Sequence, residues 1–247
     1  MSGHSKWATI KRQKGVNDQK RGLQFTKLAN AITIAVRQGG GTVDPGMNFK
    51  LRLAIDAARA ANMPKENIER AIQRAAGKMS ADVVEAKYEG FGPGGFSVIV
   101  ETVSDNKMRT VAEIKNLFDK NGGTIGTPGS VSYQFQQRGI ITVAKEGRSV
   151  DDIFLVAADG GAEDVEEAGD AVLIYSKPEE LARVRDRIVE DGYSVQGAEL
   201  TWMPTVNTRI EDRQTAQKAL AFLEKLEELD DVQKVYANFD IPDHLMQ

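Results

Sequence analysis

The hydrophobic period changes once along this chain, near residue 80, and that change limits what it can fold into. Before it, apolar residues recur at helical spacing in three stretches. The first runs from about Asp18 to Gln38, with Leu23, Leu28, Ile32, Ala35 and Val36 on one stripe, and Gly39-Gly40-Gly41 ends it. The second, from about Pro45 to Ala61, carries Leu51, Ala54, Ile55 and Ala58. The third opens at Pro64, whose missing N–H is not needed at a first helical position, and Gly77 closes it after Ile68, Ala71, Ile72 and Ala75. Short links between three amphipathic helices predict a small bundle.

After Ser80 strands and helices alternate. Phe96–Val103 reads as a strand, Lys107–Asn121 as a helix and Val131–Phe135 as a strand. Next come strand Gly139–Ala144, helix Val150–Asp159, strands Ala162–Glu166 and Ala171–Ser176, helix Glu179–Asp191 and strand Ser194–Trp202. That second set is β-α-β-β-α-β by itself, the ferredoxin-like order. Strand Met203–Ile210, helix Asp212–Leu229 and strand Val232–Asn238 form a half unit without a partner, which Phe96–Phe135 supplies. The expected fold is therefore α+β: a three-helix bundle plus two ferredoxin-like domains, one inserted in the other. The expected divisions are a basic flexible arm (1–20), a helical domain (21–79), a discontinuous domain (80–136 with 203–247) and an inserted domain (137–202). Insertion at a loop whose ends lie close together costs little.

Charge follows the same division. Residues 1–78 hold 15 Lys+Arg against 5 Asp+Glu, a net of +10; residues 79–247 hold the other 17 and 31, a net of −14. The basic segment attracts polyanions and the acidic remainder repels them, so the split also orients the molecule. With no cysteine, there are no disulfides, thiolate metal sites or cysteine nucleophiles. The polar, basic stretch Met1–Lys14 does not read as a secretory signal, and no segment approaches the roughly 18 apolar residues of a membrane span. A cytoplasmic protein without a membrane partner is expected.

The remaining motifs argue against catalysis. Gly90-Phe91-Gly92-Pro93-Gly94-Gly95 satisfies G-x-G-x-x-G, but it leads into a strand, whereas a dinucleotide site needs it to open a helix. It reads as a tight turn with positive-φ glycines. The stretch from Gly122 to Gly129 also leads into a strand, and no P-loop is present. His4 and His244, near opposite ends, make neither a transition-metal site nor a catalytic triad. Carboxylate runs such as Glu163–Glu167 and Glu227–Asp231 read as solvated surface. No enzymatic role, cofactor, metal or small-molecule ligand is expected.

The basic constellation is the stronger signal. Lys6, Lys11, Arg12, Lys14, Lys20, Arg21 and Lys27 are opposed only by Asp18, with His4 and Trp7 interleaved as rings able to stack on bases. Lys20 and Lys27 share a helix face, Arg52 and Arg59 share another, and Arg70, Arg74 and Lys78 step by four. These fourteen residues are the candidate nucleic-acid ligands, their affinity coming mainly from phosphate neutralisation.

The same residues carry a resemblance. Ser2-Gly3-His4-Ser5-Lys6-Trp7, Ile10-Lys11-Arg12 with Lys14, Phe25-Thr26-Lys27, Gly39-Gly40-Gly41, Asn62-Met63-Pro64, Tyr88–Gly95, Ser104-Asp105-Asn106 and Gly129-Ser130-Val131 together resemble the YebC family over nearly the whole chain. The resemblance implies a helical domain and two α/β domains, with no catalytic activity or cofactor. It also implies one of two roles. Bacterial members are described as transcriptional regulators binding promoter DNA, while mitochondrial relatives are translational activators, and bacterial members have been linked to ribosomes stalled on proline-rich stretches. A duplex reader needs a groove-reading element, and the bundle has no helix-turn-helix signature or base-reading cluster. A ribosomal-RNA ligand asks only for a basic end that fits.

Overall fold

The computed structural model describes residues 18–77 and 83–242, with side chains from residue 21. Three helices open it: α1 (Asp18–Gln38), α2 (Phe49–Ala60) and α3 (Lys65–Ala76). Their shared core is Ile32, Ala35, Val36, Leu51, Ile55, Ala58, Met63, Ile68, Ala71 and Ala75. One residue ties the end of α1 to the start of α2. The Asn48 amide nitrogen donates to the carbonyls of Ala35 (2.8 Å) and Thr42 (3.1 Å), while its oxygen accepts from Leu51 N–H (3.1 Å). A Cβ at Gly39 would lie 2.1 Å from that amide nitrogen, so only glycine fits there. This corrects the expected start of α2 at Pro45: Asn48 must leave helical geometry to cap (φ −126°, ψ 95°), so the helix begins four residues later.

Two four-stranded sheets follow. The first comprises β1 (Val84–Phe91), β2 (Ser97–Ser104), β3 (Thr124–Ile125) and β9 (Val232–Ala237), in the order β3-β1-β2-β9. Helices α4 (Lys107–Lys120) and α7 (Arg213–Glu227) bury Ile114, Phe118, Phe222, Leu223 and Leu226 with Phe96, Val98 and Val100. Phe118 meets Phe222 edge-to-face at 4.9 Å, a contact contributing about 1 kcal/mol beyond burial. The second sheet contains β4 (Phe135–Ala144), β5 (Asp164–Ala168), β6 (Ala171–Ser176) and β7 (Val195–Pro204), in the order β5-β6-β4-β7. Every pairing in it is antiparallel, and with α5 (Val150–Gly160) and α6 (Leu181–Glu190) it has the expected ferredoxin-like arrangement.

The first sheet is assembled differently from the expectation. Val131–Phe135 is not a strand: Ser132–Gln134 forms a 3₁₀ turn, and Phe135 begins a single ten-residue strand that absorbs the expected strand at Gly139–Ala144. Met203 and Pro204 finish β7, and only Thr208–Arg209 (β8) remains, paired in parallel with Phe239–Asp240 (β10). In place of the strand expected at Met203–Ile210, β1, from ahead of β2 in the chain, completes the sheet beside β2. The physical reason is the hairpin turn. Gly94 (φ +94°) and Gly95 (φ +80°) take backbone open to glycine, and a Cβ at Gly92 would lie 2.2 Å from the Phe96 ring. The glycine motif is thus a β1–β2 turn. The expected divisions at 136/137 and 202/203 fall inside β4 and β7, which pair from Phe135↔Pro204 to Val143↔Val195.

Candidate nucleic-acid interface

The helical unit rests on the α/β body through apolar packing of α2 on the second sheet, against β7, and through polar contacts, and the polar contacts decide which of its cations are engaged. On α1, the Lys27 ammonium donates to the Glu227 carbonyl at the end of α7. Near the other end of α1, Arg37 donates to the Val83 carbonyl and the Gln38 amide to the Glu85 carboxylate (2.9 Å). On α2, Phe49 and Leu53 pack against the core of the second sheet. Arg52 faces Asp186 of α6 at 3.4 Å and lies 5.2 Å from the centre of the Phe49 ring. Two expected phosphate ligands, Lys27 and Arg52, are therefore engaged within the chain.

The other described candidates are divided among the three helices. Arg21 is exposed near the start of α1. Arg59 is exposed and pairs with Asp56, one turn earlier on α2, at 3.7 Å. Arg70 and Arg74 stand one turn apart on the outer side of α3, opposite the buried Ile68, Ala71 and Ala75. Both are exposed, and neither has an ion-pair or hydrogen-bond partner among the described residues. His4, Lys6, Trp7, Lys11, Arg12, Lys14 and Lys78 lie outside the described residues, as does the side chain of Lys20.

Sequence reasoning missed the acidic partners. Asp186 and Asp56, with Arg185, form the contact between α2 and α6. Charge alternation on α6 was the available signal, but nothing in it named α2 as the neighbour. The motifs that carried the family resemblance in the body hold the fold together. Glu89 is 3% exposed, and its carboxylate accepts from the N–H groups of Gly129 (3.0 Å), Val131 (2.9 Å) and Ser132 (2.9 Å). Burial pushes its carboxyl upward, but those three donors and Lys87 prevail and hold it below the ordinary value. Ser104-Asp105-Asn106 begins α4: Asn106 accepts from Arg109 N–H, and the Ser104 hydroxyl donates to Asp231 (2.9 Å). Burial raises Asp231, yet Thr110, Ser104 and Arg109 bring it below its usual value. Among the described residues no cluster of three or more His, Asp or Glu is placed to hold a metal ion. No helix among them is long and apolar enough to cross a membrane.

Comparison with known proteins places this architecture. The TACO1/YebC N-terminal domain matches residues 5–78, and the TACO1/YebC second and third domain matches residues 83–239. The chain belongs to the TACO1/YebC family. A relative from Roseiflexus castenholzii, named "Probable transcriptional regulatory protein", is 48% identical, covering 100% of this chain and 98% of its own. One from Chloroflexus aggregans with the same name is 49% identical over the same shares. The crystal structure of a conserved hypothetical protein, Aq1575, from Aquifex aeolicus superposes with a TM-score of 0.84 at 42% identity, covering 93% of this chain and 94% of that one. Within the TACO1/YebC family, then, the glycine turn after β1, the Glu89 cradle and the start of α4 are fold-bearing motifs in this chain.

Proposed function

We propose that this protein is a non-enzymatic regulator of gene expression that binds nucleic acid through its basic N-terminal third, and that it acts, as its relatives' name states, in transcription. The observation that carries the reading is the pair Arg70 and Arg74, exposed on the outer side of α3 with no partner among the described residues. Unpaired guanidiniums one helical turn apart suit adjacent phosphates, because each presents a planar fork of donors. The basic run Lys6 to Lys27 extends the same polarity, with Trp7 and His4 available for stacking. The body, net −14 over residues 79–247, turns away from phosphate and leaves the helical end leading. The division into a basic arm, a helical domain, a discontinuous domain and a domain inserted in it is part of the proposal, with the junctions of the inserted domain set at the ends of β4 and β7 and not at the expected 136/137 and 202/203. So is a cytoplasmic location.

One observation favours a ribosomal-RNA target as a second reading. With Lys27 and Arg52 engaged inside the chain, the remaining described cations are divided among α1, α2 and α3 rather than gathered on one helix aimed at a groove. Such scatter suits an irregular RNA surface better than a duplex groove. Sedimentation on ribosome gradients at low and high salt, beside gel shifts with promoter and random DNA, separates the two. Promoter binding well above random DNA supports transcription. Co-migration with ribosomes, lost on Lys11→Glu, Arg12→Glu and Lys14→Glu together, supports the second reading. Equal weak binding to every nucleic acid sinks both.

A further inference from the structure

We infer that the helical unit is held on the α/β body by an electrostatic latch between α2 and α6, and that a polyanion bound to the unit competes for this latch and opens it. The competition rests on the nucleic-acid reading above; the latch rests on the contacts alone. Four side chains alternate in sign across the contact. Arg185 donates to Asp56 (2.9 Å) and to Asp186 (2.9 Å), and Asp186 in turn faces Arg52 (3.4 Å). Arg52 and Asp56 are one turn apart on α2, while Arg185 and Asp186 are neighbours on α6. Reversing one member therefore sets like charges together in a chain that was balanced.

Several features make this a contact that can open. Only Arg185 is well covered, at 17% exposure; Asp56, Arg52 and Asp186 range from 32% to 44%, within reach of solvent ions. The apolar part on α2 is Phe49 and Leu53, which pack on the second sheet beside β7 and are both only partly buried, so the charged contact with α6 lies beside this packing and does not replace it. The α1 contacts are polar too, Gln38 to Glu85 and Arg37 to the Val83 carbonyl. Polar contacts between units of one chain favour relative motion, and half-exposed charges are weakened by salt. Arg52 is also incompletely satisfied in the closed arrangement, because its buried Nε has no hydrogen-bond partner. Asp186 offers Arg52 an anionic oxygen, the group a phosphate also offers. A guanidinium turned to a phosphate leaves the carboxylate without its partner, and Asp186 is then held only by Arg185.

The chain lacks cysteine, so Met47→Cys (81% exposed in the native residue) and Leu155→Cys (66%) accept a donor–acceptor dye pair, one on the helical unit and one on α5. Energy transfer is expected to change as NaCl rises from about 0.05 to 1 M, where screening shortens from beyond the contact to about 3 Å. Arg185→Asp should move the midpoint to lower salt, and adding Asp56→Arg should restore it. That rescue separates lost pairing from misfolding. A short single-stranded RNA and a short DNA duplex are the probes: each should shift wild-type transfer in the same direction as salt. Each should also bind Arg185→Asp about tenfold more tightly, since the variant no longer has to open. Salt-independent transfer in the wild type, or transfer unchanged by Arg185→Asp, overturns the latch. A latch that opens with salt while the probes bind without moving transfer overturns the competition alone. Probes that bind neither the wild type nor the variant defeat the nucleic-acid reading and the competition together, and leave the latch standing.

Discussion

The α/β body and the helical unit use charge in opposite ways. In the body, buried Glu89 and partly buried Asp231 are saturated with donors, three backbone N–H groups for one and Ser104, Thr110 and Arg109 for the other. Such groups hold loops and helix ends, and their charge is consumed by the fold. In the helical unit, Arg70 and Arg74 are exposed and have no side-chain partner among the described residues, so the described fold gains nothing from their charge. Between the two regions, Arg52 and Asp186 belong to neither pattern: they are paired, but across units and in partial contact with water. A charge's partner, more than its sign, separates a structural role from a binding one.

The sharpest way to break this contrast is to remove a saturated carboxylate. Glu89→Ala leaves three N–H groups without their acceptor, that of Val131 buried and those of Gly129 and Ser132 partly so, and should cost about 3 kcal/mol in urea unfolding. A cost near zero would place Glu89 outside the structural class. pH tests the same point. The carboxyls of Glu89 and Asp231 sit below their ordinary values in the fold, so their stabilisation is complete above the unfolded carboxylate range, about 4, and is lost as pH falls through the folded values. The melting temperature should fall between neutral pH and about 3, and Glu89→Gln should show a smaller fall than the wild type.

Within the helical unit, Asn48→Ala should cost about 2 kcal/mol, because it uncaps α2 and removes the amide's donations to the Ala35 and Thr42 carbonyls, of which Ala35 keeps its bond from Gly39 N–H. Arg70→Glu with Arg74→Glu should leave the melting temperature within about a degree, since surface changes away from such features stay small. The same pair should weaken nucleic-acid binding and reduce the slope of log affinity against log salt by about 2. A large loss of stability with unchanged binding would reverse the assignment of these two arginines. Arg59→Ala should have the smallest effect on stability, at most about 0.5 kcal/mol, because its pairing with Asp56 is solvent-exposed.

The local signals in the sequence carried far. Helical spacing located α1, with its end at Gln38, and apolar runs located β2, β6 and β9 to within a residue or so. The β-α-β-β-α-β order of the second sheet was legible because each of its elements has an unambiguous period. β1 was not: in Val84–Phe91, charged residues alternate with small or aromatic ones, and the following glycines drew the segment into a turn. Its charged Glu89 is buried only because the loop at 129–132 folds back to supply donors. Of the candidate interface, the cations were legible as a set, while their separation into paired and unpaired members was not.

Periodicity and net charge are properties of neighbours along the chain, and they are enough to specify the helical bundle, the mixed α/β remainder and the polarity of charge between them. Tertiary structure alone decided that β1 fills the centre of the first sheet, that β4 is one strand, and that Arg52 faces Asp186 while Arg70 and Arg74 face solvent. Each of these depends on residues far apart in sequence meeting in space, and the strength of a charge's interaction depends on what stands a few ångströms away.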